Sequence, residues 1–66
     1  MKEIKFAENL KQLRTSKGLY QHDLAQMVGV DKRTISAWEK GVSQPSLEMI
    51  AKLCEIFDES FDNMLT

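Results

Sequence analysis

Hydrophobic positions recur at helical spacing near the start of the chain. Phe6, Leu10 and Leu13 follow one another at intervals of four and three residues, which is the spacing of one face of an α-helix. This pattern predicts a helix over about residues 4–16, and the Lys and Gly of residues 17–18 are typical of a helix end. The first element of the chain is therefore predicted to be an amphipathic helix.

Residues 21–40 have the pattern of two short helices joined by a tight turn. Leu24, Ala25 and Val28 lie at helical spacing. Gly29 follows them, and glycine readily adopts the left-handed backbone conformation that often ends an α-helix. The methyl group of Ala25 allows two helices to cross closely. A small residue, a turn glycine and a second helix in this order indicate a helix-turn-helix motif.

The second helix of this pair has one face for a core and one for a partner. Asp31 is placed to cap the helix by accepting backbone N–H groups, and Ile35 and Trp38 share its apolar face. At about 100° per residue, the opposite face carries Lys32, Arg33, Ser36, Ala37 and Lys40. The core can therefore hold this helix on one side while cations point away on the other.

Two further helices are predicted in the last third of the chain. Residues 41–45 form a loop, Ser46 caps a helix that ends near Phe57, and Ser60 caps a last short helix. The apolar face of the longer helix contains Leu47, Ile50, Cys54 and Phe57, and the last helix contains Phe61, Met64 and Leu65. No segment has the pattern of a strand, so we expect an all-α fold, a compact bundle of about five short helices.

Length and composition favour a single domain over residues 1–66. Apolar residues make up 42% of the chain and charged residues 29%, which is ordinary for a folded domain. The single cysteine, Cys54, excludes an internal disulfide and is expected in the core as an unreactive side chain. The chain has no signal-like segment and no apolar run long enough to cross a bilayer, so we expect a cytoplasmic protein.

The net charge of −1 argues mildly against a nucleic-acid ligand, because phosphate binding favours a basic surface. The charges are unevenly distributed, however. Residues 1–44 carry eight Lys or Arg against five Asp or Glu, whereas residues 45–66 carry one against five. Such a chain can still present a basic face to DNA, with chance on a small surface as the alternative explanation.

The sequence offers little support for an enzyme or a metal site. His22 is the only histidine and has no cysteine near it in sequence to complete a metal site or a nucleophile pair. We expect it on the surface, with a phosphate contact as the functional alternative. Asp58 and Glu59 are adjacent in a connection, which does not hold two carboxylates across a cleft. We therefore expect no catalytic residue, no metal and no cofactor.

Five segments of the chain together resemble one family. They are LxxLR at residues 10–14, GLxQ at 18–21, LAxxVGV at 24–30, TISxWExG at 34–41 and QP at 44–45. In this order they resemble the phage-repressor and Cro-like helix-turn-helix proteins, also called the xenobiotic-response-element family. The resemblance covers about residues 6–65 and implies a bundle whose third helix enters the major groove of DNA.

The resemblance also implies roles for individual residues. Lys32, Arg33, Ser36 and Ala37 are the candidates for contact with base edges, and Gln21, Thr34, Lys40, Ser43 and Gln44 are the candidates for contact with phosphates. The guanidinium of Arg33 matches guanine O6 and N7, and the methyl group of Ala37 suits a thymine methyl. The alternatives are a solvated face for the cations and avoidance of a clash for Ser36 and Ala37. In the family, the arginine matching Arg14 pairs with the glutamate matching Glu39 as a scaffold.

Three departures from the family pattern are present. Tyr20 stands where a small hydroxyl or amide usually caps the second helix, so a cap worth about 1 kcal/mol is expected to be lost. Its phenol is free to reach a phosphate or to pack on the first helix. Asp31 stands where Ser or Thr is common, so its carboxylate is expected to repel phosphate or to select against some sites. Asp58 and Glu59 replace a Gly and a small apolar residue, which leaves the orientation of the last helix open.

Two classes of function follow from these observations. The first is a sequence-specific transcriptional regulator, expected to be a repressor, that binds double-stranded DNA. A module of this size buries only about 600–1,000 Å² on DNA, so we expect a homodimer on a palindromic operator. Phe61, Met64 and Leu65 are interface candidates, with core packing preferred for at least two of them.

The second class is a protein-binding module, such as the antitoxin of a toxin–antitoxin pair, whose acidic residues 48–62 face a basic partner.

Overall fold

The computed structural model describes residues 4–66, and this segment consists of five α-helices joined by short connections. They are α1 (Phe6–Ser16), α2 (Gln21–Val28), α3 (Lys32–Lys40), α4 (Leu47–Phe57) and α5 (Phe61–Leu65). No strand is present between residues 4 and 66. The predicted all-α bundle of five short helices is therefore confirmed.

Three of the helices begin at the caps that the sequence predicted. Each cap side chain accepts a hydrogen bond from a backbone N–H of the first turn, which would otherwise have no partner within the helix. Asp31 Oδ1 accepts from Arg33 at 2.8 Å, Ser46 Oγ from Met49 at 3.2 Å and Ser60 Oγ from Asn63 at 3.0 Å. These contacts fix the starts of α3, α4 and α5.

The first helix begins at Phe6, two residues later than its apolar pattern predicted. The backbone N–H of Lys5 donates to the carbonyl oxygen of Leu65 at 2.7 Å, so the backbone that precedes α1 is paired with the end of α5. Asn9 Nδ2 adds a second link by donating to the carbonyl oxygen of Met64 at 2.9 Å. Lys5 and Asn9 therefore hold α5 in place, and Lys5 does not extend α1.

One apolar core joins all five helices. Its buried members are Phe6, Leu10, Leu24, Ala25, Val28, Ile35, Trp38, Ile50, Leu53, Cys54, Phe57 and Met64. Ala25 is buried in α2, which packs against α3, and this is compatible with the close crossing expected of a methyl-sized side chain. The expectation that Cys54 lies in the core is confirmed.

The prediction that Leu47 belongs to the buried face of α4 is wrong. Ile50, Cys54 and Phe57 are buried as expected, but the Leu47 side chain is 74% exposed. Leu47 is the first residue of α4 and lies at the edge of a surface groove, so its helical spacing from Ile50 does not bring it under the neighbouring helices.

The last helix packs against α1 and α4. Met64 is fully buried and Leu65 packs on the core, which confirms a core role for two of the three interface candidates, while Phe61 stays 44% exposed. The connection before α5 turns at Asp58, which adopts a left-handed backbone with a φ of 52°. Asp58 thus takes the conformation usually left to glycine, and the orientation of α5 is defined despite this departure from the family pattern.

Candidate nucleic-acid interface

The turn between α2 and α3 is built by backbone hydrogen bonds around one glycine. Gly29 has a φ of 89°, in the left-handed region that glycine enters without steric cost. The N–H groups of Gly29 and Val30 both donate to the carbonyl oxygen of Ala25, at 2.8 and 3.0 Å. Asp31 then caps α3 immediately, so the two helices of the motif have a defined relative orientation.

The third helix separates an apolar face from a polar one, as the sequence predicted. Ile35 is inaccessible to solvent and Trp38 is buried. On the other side, Lys32, Arg33 and Lys40 are exposed, and Ser36 and Ala37 are half-buried. The structure therefore brings the four base-contact candidates onto one accessible face of a helix that the core holds from behind.

A buried ion pair ties α1 to α3. Arg14 Nε lies 2.6 Å from Glu39 Oε2, and Arg14 Nη2 lies 3.1 Å from Glu39 Oε1. The two side chains are only 10% and 4% exposed, and Arg14 Nη1 also donates to the carbonyl oxygen of Leu19 at 2.7 Å. The scaffold pair implied by the family resemblance is therefore present, with the two-point geometry that arginine and carboxylate favour.

Gln21 belongs to the same network, which sequence reasoning missed. Its Nε2 donates to Glu39 Oε1 at 3.1 Å, so the first residue of α2 is fixed to α3. An amide nitrogen carries two N–H groups, and one donor remains for another acceptor such as a phosphate. The contact spans 18 residues in sequence, and no local pattern marks it.

The other phosphate candidates lie at both ends of α3 and in the loop after it. Thr34 is half-buried in the first turn, whereas Lys40, Ser43 and Gln44 are exposed. Gly41 ends the helix with a φ of 74°, and the Val42 N–H donates to the carbonyl oxygen of Ala37 at 3.0 Å. The start of the loop after α3 is therefore hydrogen-bonded back to the last turn of that helix.

Tyr20 departs from the usual cap in the way the sequence predicted. Its side chain makes no cap hydrogen bond to α2. The start of α2 is instead fixed by a hydrogen bond to the Asp23 side chain, because the Tyr20 N–H donates to Asp23 Oδ2 at 2.8 Å. The phenol ring does not pack on α1: it is exposed and stacks on His22, with ring centroids 5.6 Å apart and planes within 10°.

Outside this face, the described residues were compared with the requirements of a metal site, a reactive thiol and a membrane-spanning helix. Between residues 4 and 66, no set of three or more His, Cys, Asp or Glu side chains is placed to hold a metal ion. Burial, and secondarily the negative charge of Glu59, raise the pKa of the Cys54 thiol. None of the helices in the described segment has the length and apolar character needed to cross a membrane.

The chain matches a family model described as helix-turn-helix over residues 10–63. It therefore belongs to the phage-repressor and Cro-like family of helix-turn-helix transcriptional regulators. The similarity extends to three-dimensional structure. The P22 c2 repressor, solved in complex with a synthetic operator, superposes with a TM-score of 0.87 and 27% identity, covering all of this chain and 97% of the repressor chain.

Two sequence relatives illustrate the range of the family. The HTH-type transcriptional activator BcrR of Enterococcus faecalis is 36% identical over 63 residues, which is 96% of this chain and 31% of BcrR. The antitoxin PezA of Streptococcus pneumoniae is 35% identical over 54 residues, which is 82% of this chain and 34% of PezA. The chain thus spans about a third of the length of each of these relatives.

Proposed function

We propose that this chain binds an operator as a transcriptional repressor and reads the major groove with α3. The observation that carries the proposal is the division of α3 into a buried apolar face and an accessible face with three cations. The structural similarity to the P22 c2 repressor, which was solved with a synthetic operator, supports DNA as the ligand.

Sequence reading is assigned to Lys32, Arg33, Ser36 and Ala37. Arg33 and Lys32 lie in the first turn of α3, where a reading helix approaches base edges. The planar guanidinium of Arg33 suits O6 and N7 of one guanine, whereas the Lys32 ammonium is less selective. Ser36 and Ala37 follow one turn later, and their small side chains let the backbone of α3 enter the groove.

Positioning on the duplex is assigned to groups that flank the reading residues. Gln21 would donate its remaining amide N–H to a phosphate, and the contact with Glu39 holds this amide in place. Thr34, Lys40, Ser43 and Gln44 are the other phosphate contacts. None of the assigned contact residues belongs to the acidic segment 45–66, and the set itself contains three cations and no carboxylate.

A single recognition module of this size needs a second copy for useful specificity. One module buries only about 600–1,000 Å² on DNA, so we assign a homodimer on a palindromic operator with half-sites about one helical turn apart. Repression is favoured over activation because it requires only that the operator be occupied. Double-stranded DNA is the partner, and we assign the cytoplasm as the location.

Selection of bound duplexes from a random pool tests this proposal. The expected result is an enriched inverted repeat with half-site centres about 34–36 Å apart along the helix axis. A double variant, Lys32→Ala with Arg33→Ala, is the matched control, because both side chains are exposed and their removal leaves the core intact. Absence of any enriched sequence with the unaltered protein at low salt would overturn the assignment.

The same selection separates a dimer from a monomer when it is combined with a size measurement. Sedimentation of the protein with and without the selected duplex gives the number of copies bound. Two copies on one duplex support the dimer. A single copy on a site without symmetry would leave DNA binding in place and refute the homodimer.

The antitoxin alternative rests on the similarity to PezA and on the acidic C-terminal third. An antitoxin pairs with a toxin, and residues 48–62 would present carboxylates to a basic partner. Purification from the native cells distinguishes the two functions. Recovery of a small basic protein at a fixed ratio would favour the antitoxin, which can bind operator DNA as well.

A further inference from the structure

One cation outside the proposed DNA interface binds the helix-turn-helix motif from behind. Lys52 lies in the middle of α4, and its Nζ donates a hydrogen bond to the carbonyl oxygen of Val28 at 3.1 Å. Val28 is the last residue of α2, 24 residues earlier in the chain, and the contact is partly shielded from solvent. Neither of the ion pairs found between residues 4 and 66 includes Lys52. The ammonium group is therefore directed at the end of α2.

The end of α2 is a position where a cation is favourable. The last carbonyl groups of an α-helix have no partner within the helix, and they carry the negative end of its dipole. The last turn of α2 contains no basic residue, so this helix supplies no cation of its own. Lys52 supplies the charge from α4, which packs against α2. The contact therefore stabilises α2 and fixes α4 to the end of it.

The hydrogen bond from Lys52 restrains one particular peptide unit. The carbonyl of Val28 and the N–H of Gly29 belong to the same planar unit. The Gly29 N–H donates to the carbonyl oxygen of Ala25 at 2.8 Å, while the Val28 carbonyl accepts from Lys52. Both polar ends of this unit are thus held. Rotation about the next backbone bond, the φ of Gly29 at 89°, sets the direction in which the chain leaves α2.

The turn restrained in this way leads directly into the residues assigned to base reading. Asp31 caps α3 two residues after Gly29, and Arg33 follows in the first turn of α3. Contact between a guanidinium and one guanine tolerates little displacement, because two donors must meet two acceptors at once. A small rotation at Gly29 should therefore disturb base reading before it exposes the core.

We propose that Lys52 is a positioning residue for base reading, which acts through the peptide unit between Val28 and Gly29 and does not itself touch DNA. This role rests on the proposed function, because it acts on Lys32 and Arg33 as base contacts. Lys52 is the single Lys or Arg of residues 45–66. The one cation of the acidic segment is thus used to orient the reading helix.

Lys52→Met tests this role, because it removes the ammonium group and keeps an apolar stem of similar length. The affinity for the selected duplex divided by the affinity for a random duplex should fall about threefold to thirtyfold, as expected for a residue that acts on a binding site without touching the ligand. Lys52→Arg keeps a cationic donor and should restore most of this ratio. Lys11→Met removes one charge from an exposed residue of α1 and should leave the ratio unchanged. Equal losses on both duplexes for Lys52→Met would identify a phosphate contact and overturn the role.

A double-variant cycle with Arg33→Ala separates positioning from a general loss of stability. If Lys52 acts through Arg33, Lys52→Met should cost little affinity for the selected duplex once the guanidinium is gone. The two losses are then not independent, although the two side chains belong to different helices. Urea unfolding of the same proteins sets conditions in which each is fully folded during the titrations. Independent losses, whose product matches the double variant within about twofold, would overturn the role.

Hydrogen exchange without DNA distinguishes this role from the proposed function. Exchange of the Gly29 N–H should be about threefold or more faster in Lys52→Met, because the loss of one hydrogen bond favours local opening of the turn. Exchange of the Leu10 N–H, in the middle of α1, should stay unchanged. This result would support the restraint on the turn even if no duplex binds. Equal acceleration of both amides, or none at Gly29, would overturn it.

Discussion

Arg14 and Glu39 are 25 residues apart in sequence and form a two-point ion pair between α1 and α3. The pair is shielded from solvent, and Glu39 also accepts a hydrogen bond from Gln21 at the start of α2. Three helices thus meet at one carboxylate. The orientation of α3 depends on this contact as well as on the apolar core.

We predict that Glu39→Ala lowers the free energy of unfolding by about 3 kcal/mol, because it leaves the Arg14 guanidinium buried without its counter-charge. Urea unfolding followed by Trp38 fluorescence measures the loss. The double variant Arg14→Met with Glu39→Met is the control and should be more stable than Glu39→Ala, because it buries no unpaired charge. A cost below about 1 kcal/mol for Glu39→Ala would mean that the pair contributes no more than an exposed one.

Arg33→Ala and Lys40→Ala separate base reading from phosphate contact. Arg33→Ala should cost about 1–3 kcal/mol of binding free energy and relax the preference at one base pair. Lys40→Ala should weaken binding to all duplexes and reduce the slope of log K against log salt by about 0.9. Titrations of the selected duplex and a random duplex over a range of salt concentrations measure both effects. Equal losses on both duplexes for Arg33→Ala would identify Arg33 as a phosphate contact.

Substitutions of Asp31 test whether its carboxylate opposes DNA. Asp31→Ser keeps an oxygen that can accept the Arg33 N–H and removes a negative charge beside the interface, so DNA affinity should rise at low salt while stability changes little. Asp31→Ala removes the same charge and also the cap, and should cost about 1 kcal/mol of stability. Thermal unfolding and duplex titration measure the two properties separately. A lower affinity for Asp31→Ser would show that the carboxylate selects its site and does not repel the backbone.

Tyr20→Ser should stabilise the protein by about 1 kcal/mol, because a serine at this position can cap α2. Asp23 already accepts the N–H of residue 20, so the substitution would complete a reciprocal cap. Tyr20→Ala is the matched control, since it removes the stacking on His22 without adding an acceptor. Urea unfolding compares the three proteins. If serine is no more stable than alanine, the hydroxyl does not reach the first turn of α2.

Most of the fold could be predicted because its signals are local. Capping side chains and apolar spacing determine where a helix begins and which face it buries, as for Ser46 and Trp38. The exposure of Leu47 could not be read in this way, since spacing identifies a face but does not show how far the neighbouring helices extend over it. The late start of α1 follows from a backbone contact between Lys5 and Leu65, which the side-chain pattern does not encode.

Part of the candidate site was also predictable, because the signals that mark it are local in sequence. Helical spacing and the family resemblance identified the accessible face of α3, and the structure exposes its cations as expected. The contact between Gln21 and Glu39 depends on the packing of α2 against α3. Assignment of bases to Arg33 or Ser36 requires the operator sequence and therefore stays a prediction.

The inward position of Glu39 also removes one negative charge from the surface in front of α3. This helix contains three cations and one carboxylate, and the carboxylate is neutralised behind the helix by Arg14. Lys32, Arg33 and Lys40 therefore face outward with no opposing anion from their own helix. A chain that is acidic overall can in this way attract a polyanion toward one edge, and the attraction should accelerate encounter with DNA before any base is contacted.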